Sequence, residues 1–305
     1  MNAATFGYIA NYGGDTVSVV DTATNKVVKT INVGSSPDAV LATPNGAYVY
    51  VANYWSNNVS VISTASRSVV KTVGVGQGPT SLAVTPGGGY VYVVDSLSGS
   101  VRVIKVATQT DVKVIRVNGS PEGVAITPNG RFAYVSLSGA GGVAVIDTAT
   151  DAFVKTIATG YTSDPGAVTI SPGGGRVYLA DSNAGLVIVI GTSTNKVLKT
   201  VAVPDGVSAM TLSPRGFLLY IDGAATGGPD GPCGGSMDVM STSNYAIVGT
   251  QGVGCAPGGL AVTPNGEYVY ATASGDNALT ILRAPGLAVV KYLFTGSEPD
   301  AVAMS

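Results

Sequence analysis

Three features of the sequence predict an all-β fold, a seven-bladed β-propeller of four-stranded antiparallel blades. A turn, TPNG or a close relative, recurs with Pro44, Pro86, Pro128, Pro172, Pro214 and Pro264, spaced 42, 42, 44, 42 and 50 residues apart. Each repeat holds four strand-like runs. The two ends of the chain hold complementary parts of one further unit. A four-stranded repeat of about 40 to 45 residues, split so that the last copy closes on the first, is the mark of a propeller.

The first full repeat shows why each run reads as a strand. The innermost run a, DAVLAT, follows a Pro and is rich in small residues, as the crowded axis of a ring requires. Run b, AYVYVAN, is apolar on both faces, which fits a sheet covered on both sides by neighbouring blades. Run c, NVSVIST, alternates less apolar residues with β-branched ones. Run d, SVVKTVGVG, carries the lysine that recurs as Lys29, Lys71, Lys113, Lys155, Lys199 and Lys291. A lysine repeated on the outermost strand reads as protection of an open sheet edge.

The Pro that precedes run a recurs at Pro37, Pro79, Pro121, Pro165, Pro204, Pro257 and Pro299. The C-terminal EPDAVAMS supplies only a, while TFGYIAN, TVSVVDT and KVVKTINVG at the N-terminus supply b, c and d. Residues 1–305 are therefore read as one domain whose last blade is shared between 1–35 and 298–305, with one insertion at 222–237.

Composition narrows the function classes. Charged residues are 11% of the chain and the net charge is −2, so no basic field is present to hold nucleic acid. The chain has no histidine. His-dependent triads and imidazole-held zinc or haem are thereby excluded. No apolar run approaches a transmembrane span. Met1 leads almost directly into a strand-like run, with no signal peptide ahead of it.

In a meander the a-b and c-d turns share one face of the ring, and the b-c and d-a loops share the other. Asp15, Asp38, Asp95, Glu122, Asp164, Asp181, Asp205, Asp222, Asp230, Asp276, Glu298 and Asp300 all fall on the second face, 12 of the 18 acids. None of the 16 Lys and Arg residues is assigned there. The second face is thus expected to be acidic and to favour cationic groups, although Asp is also common in such loops for turn chemistry.

Asp38 and Asp300 hold equivalent PDAV positions on adjacent blades, with Glu122 two blades further round. Converging carboxylates there could ligate Ca²⁺, bind an ammonium, hold a shared proton for acid–base work, or only satisfy turn amides. Tyr12, Tyr54, Trp55 and Tyr161 on the same face could form an aromatic wall against a cationic or sugar-like ligand, or cover their own blades. Asp95 and Asp181 complete the candidate ligand-binding set. No catalytic set is legible. No cofactor is predicted, and Asp38 and Asp300 are the metal candidates if Ca²⁺ binds.

Cys233 lies in the insertion and Cys255 in the next d-a loop on the same face. Their proximity predicts a disulfide, and with it an exported or surface setting. The signal peptide would then be missing from this sequence; the alternative is a cytoplasmic protein.

The stretches YVYVANYWSNNVSVIST, FGYIANYGGDTVSVVDTATNKVVKTINVG and FAYVSLSGAGGVAVIDTATDAFVKTIATG resemble the YVTN family of β-propeller repeats over essentially the whole chain. That resemblance implies a surface-layer or exported interaction protein, while related propellers of the lactonase and antibiotic-lyase kind imply an enzyme. Taken together, the expectation is a monomeric binding module that presents an acidic, aromatic face to a protein, glycan or small cationic ligand, with no nucleic-acid partner. The alternative is a His-independent hydrolase, lyase or isomerase using carboxylates and Tyr at the axial mouth of that face.

Overall fold

The computed structural model describes residues 5–139, 141–160, 165–203, 206–223 and 234–305. Its strands form seven four-stranded antiparallel sheets, each a meander in which strands a to d run outward from the axis. Blade 1 takes its strand a, Pro299–Met304, from the C-terminus and its strands b, c and d, Phe6–Asn11, Thr16–Asp21 and Lys26–Asn32, from the N-terminus. The joint is antiparallel, with Gly7 opposite Met304 and Ala10 opposite Ala301. Blades 2 to 7 begin at Pro37, Pro79, Ser120, Pro165, Ala209 and Pro257. No helix among the described residues is long and apolar enough to cross a membrane.

Burial follows the apolar pattern. In blade 2, strand b (Tyr48–Asn53) and strand c (Asn58–Ser63) are buried along nearly their whole length, while strand d (Ser68–Gly74) is mostly exposed. The third residue of every strand b is a tyrosine: Tyr8, Tyr50, Tyr92, Tyr134, Tyr178, Tyr220 and Tyr270, each at most 1% exposed. These rings fill the spaces between blades. Their hydroxyls reach the c-d turn of the next blade, where Tyr92 donates to Asp151, Tyr134 to Asn195 at 3.0 Å and Tyr270 to Asn25 at 3.0 Å. The residue at that place is left-handed in all seven turns (Asn25, Arg67, Gln109, Asp151, Asn195, Tyr245 and Leu287). Asn and Asp accept that conformation readily; Leu does not.

Three expectations change. Pro204 lies outside the described residues; in blade 6 Val207 holds the place of Pro37, and strand a is only Ala209–Leu212. The insertion is narrower than 222–237, because strand b extends to Gly223 and strand c starts at Gly234. Cys255 ends strand d of blade 6 rather than sitting in a loop, and Cys233 lies outside the described residues. Five of the six recurrent lysines are exposed, but Lys291 donates through Nζ to the Asn25 carbonyl of blade 1 at 2.6 Å.

Candidate functional site at the axial mouth

The second residue of strand a, or its equivalent, forms a ring at the acidic end of the axis. In blade order it is Asp300, Asp38, Thr80, Glu122, Gly166, Ser208 and Gly258. Carboxylates stand on blades 1, 2 and 4, whereas blades 5, 6 and 7 offer only two glycines and a serine. The mouth is therefore lopsided. Asp300 leans toward that bare side: a Cβ at Gly258 would lie 2.6 Å from its Oδ1, so only glycine fits beneath it.

Asp38 and Asp300 are joined carboxyl to carboxyl by a hydrogen bond. Burial pushes Asp38 well above the usual carboxylate range, and the charge of Asp300, the hydrogen bond it accepts and the charge of Glu122 push it further. Asp300 is raised by burial and by Glu298, against the lowering effect of the hydrogen bond from Asp38. Asp38 is thus held further above the ordinary range than Asp300, and both carboxyls are half-buried. Thr80 sits between them and Glu122 in the ring, and its Oγ1 donates to the Glu122 carbonyl at 3.0 Å. Among the described residues no three His, Cys, Asp or Glu side chains are grouped to hold a metal ion. A calcium ion needs six to eight oxygens, of which this ring's facing carboxyls supply a part.

Several other acids on the rim are occupied by the fold. Asp15 accepts the Ser36 amide at 2.7 Å, and Asp276 the Cys255 amide at 2.7 Å. Asp181 is buried and accepts the Ala184 amide at 3.0 Å. Asp95 is buried in an ion pair with Arg102 at 3.4 Å. Burial raises it to about 6, against the pull of Arg102, the Gly76 amide and Ser100. Asn11, Asn53 and Asp95 share one role: each ends a strand b and packs against a glycine of the adjoining d-a loop, Gly296, Gly34 and Gly76. The polar tip after the apolar strand is thus a clamp between loops. The expectation that no basic residue reaches this rim fails at Arg102, which turns toward Asp95, and at Arg116, which ends strand d of blade 3 there.

Tyr12, Tyr54 and Trp55 stand on the b-c loops of blades 1 and 2, the blades that supply Asp300 and Asp38. Tyr54 and Trp55 meet edge to face at 4.9 Å, and Trp55 is 63% exposed. Tyr161 lies outside the described residues. The structure adds Leu97, 59% exposed, which takes the place of Trp55 on blade 3. Aligning SLSG with YWSN would have found it.

A family profile described as "Choice-of-anchor I domain" matches residues 10–226. A search of curated proteins finds no match. Among solved structures, the fold is similar to the periplasmic gluconolactonase PpgL of Pseudomonas aeruginosa (19% identity, TM-score 0.78, covering 99% of this chain and 99% of that one). It is also similar to a putative 6-phosphogluconolactonase of Bacteroides fragilis (17%, TM-score 0.83, 100% and 98%). A functionally unknown protein of Desulfotomaculum acetoxidans has the same architecture (16%, TM-score 0.85, 98% and 98%). At these identities the likeness is one of fold.

Proposed function

The chain belongs to the Choice-of-anchor I domain family, and on that premise we propose that it is a non-catalytic recognition module acting outside the cell or at its surface. Its acidic mouth takes a cationic group, an ammonium on a small molecule, glycan or protein, with Tyr12, Tyr54 and Trp55 alongside. A YVTN-type repeat origin, a monomeric state and a Cys233–Cys255 disulfide belong to the same reading.

The observation that carries it is the hydrogen-bonded pair of Asp38 and Asp300. A bound ammonium replaces the shared proton, satisfies both carboxyls and meets the unobstructed side of Gly258. Binding then releases a proton, so affinity falls by about tenfold per pH unit below the pKa of the pair.

Calorimetric titration with putrescine at pH 8 and pH 5 tests this. Tight binding at pH 8, loss at pH 5 and loss in Asp38→Asn are expected. Equal affinity at both pH values, or an unaffected Asp38→Asn variant, contradicts the reading. Titration with Ca²⁺ in place of the diamine distinguishes a metal at the same carboxyls.

One observation favours a second reading. A carboxyl raised well above the ordinary range is what general-acid catalysis needs, and two of the similar folds carry gluconolactonase names. Hydrolysis of gluconolactone that is abolished by Asp38→Asn would establish it.

A further inference from the structure

The opposite face, made of a-b and c-d turns, is regular except between blades 6 and 7. Elsewhere two features recur at the junctions. An aromatic residue opens strand b in five blades (Phe6, Tyr48, Tyr90, Phe132 and Tyr268), and blade 5 has Arg176, whose guanidinium lies 5.5 Å from the Tyr245 ring of blade 6. The buried tyrosine two residues on meets the left-handed turn residue of the next blade, with Asn or Asp accepting its proton at three junctions.

Blade 6 lacks both features, whereas blades 1 and 2, whose Tyr8 and Tyr50 hydroxyls also find no acceptor among the described residues, keep the aromatic residue. Leu218 replaces the aromatic residue, and Leu287 stands where an acceptor would be. A cavity of about 530 Å³ opens there, lined by Leu218, Phe217, Tyr220, Pro264 and Pro285, together with Arg215 and Asn265. Its size falls in the small-molecule range of about 300 to 1,000 Å³. Phe217 is 68% exposed where the other turns carry Ala47, Gly89, Arg131, Gly175 or Glu267.

The polar groups around this cavity are donors. Tyr220 is 1% exposed, and among the described residues nothing accepts its hydroxyl proton. Arg215 is exposed and takes part in none of the ion pairs of the described residues. The Oδ1 of Asn265 already accepts from Thr263 Oγ1 at 2.7 Å and from the Glu267 amide at 3.1 Å, which leaves its amide nitrogen for a ligand.

We infer that this cavity between blades 6 and 7 is a second binding site, for an aromatic monocarboxylate. The ring lies among Phe217, Tyr220 and the prolines, where flat apolar faces are on offer. The carboxylate accepts the Tyr220 hydroxyl, with Arg215 and the Asn265 amide as charge-assisting partners. The site is on the face opposite the acidic mouth and does not depend on it.

Calorimetric titration of the whole protein with 2-naphthoate tests the assignment. Saturable binding is expected, with about tenfold loss in Tyr220→Phe, the scale of one hydrogen bond to a charged group. Leu218→Tyr restores the residue type that other blades carry and fills the cavity, so it should fold and lose binding. The cation 2-naphthylmethylamine should bind at least about tenfold more weakly, since it offers no acceptor to the donors. No binding of 2-naphthoate at millimolar concentration, full binding by both variants, or equal binding of the amine would each overturn the proposal.

Discussion

Asp222 is fully buried in strand b of blade 6, and among the described residues neither carboxyl oxygen has a hydrogen-bond partner. The equivalent residues of blades 4 and 7 show what the position is for. Ser136 binds the Gly123 amide of its own blade and the Gly166 carbonyl of the next, and Thr272 does the same with Gly259 and Asp300. A hydroxyl is both donor and acceptor and can bridge an amide and a carbonyl; a carboxylate cannot. Burial accordingly pushes Asp222 well above the usual carboxylate range. Asp222→Thr is expected to stabilise the fold by about 1–3 kcal/mol at pH 7, the cost of an unsatisfied buried polar group. Urea denaturation measures it, and an unchanged or lowered midpoint would contradict the account. The pH dependence has a definite sign. A carboxyl whose folded pKa is raised contributes stability below its unfolded pKa and loses it as pH rises through the folded value. Asp222, Asp38 and Asp300 are all of this kind, and Asp95 acts between about 4 and its raised value of about 6. The melting temperature should therefore rise on acidification from neutral pH toward the unperturbed Asp range, and rise less in Asp222→Thr. Nothing in the sequence distinguishes these aspartates from those that hold turn amides, because the difference lies in whether a tip side chain folds back onto the adjoining loop. Asp15 and Asp276 do so; Asp38 and Asp300 face each other instead.

At the scale of the strand, the central b and c strands were legible because apolar residues on both faces leave them no other environment. The outer strands were legible through their lysine, but not the exception among them. In blade 7, strand d is Ala288–Phe294, and Lys291 is drawn to the Asn25 carbonyl of blade 1. The opposite side of the strand exposes Val290, Tyr292 and Phe294, the last two by 60% and 77%. Blade 2 has Thr72 and Gly74 at the places of those two aromatics. An edge that is apolar and lacks its free lysine is prone to pair with other strands. The double substitution Tyr292→Thr with Phe294→Asn should raise the protein concentration at which light scattering first increases; an unchanged onset would show the edge to be protected by other means. Strand a of blade 6 was misplaced for a local reason: Pro204 imitates the recurrent proline, yet hydrogen-bond register places Ala209 opposite Asp222, as Ala39 stands opposite Ala52.

At the scale of the molecule, closure by Pro299–Met304 joins Asp300 to the same ring as Asp38 although 262 positions separate them in sequence. The repeat register made that neighbourhood legible. It could not show that Asp300 leans over Gly258 or that Asp38 is pushed further up than Asp300, since both depend on side-chain direction and burial. The cavity between blades 6 and 7 was likewise hidden, because it forms where Leu218 and Tyr220 of one blade meet Pro264 and Pro285 of the next, residues that matter only where two blades meet. The lopsided ring is the central feature: one half carries facing carboxyls raised above the ordinary range, and the other half carries nothing larger than a serine. Side-chain carboxyl carbon shifts of Asp38 and Asp300, followed by NMR from pH 3 to pH 9, test it most directly. The account predicts a coupled titration with Asp38 ionising well above the ordinary Asp range, and collapse of that coupling in Asp300→Asn. Two independent titrations, both complete by about pH 5, the behaviour of ordinary aspartates, would contradict it.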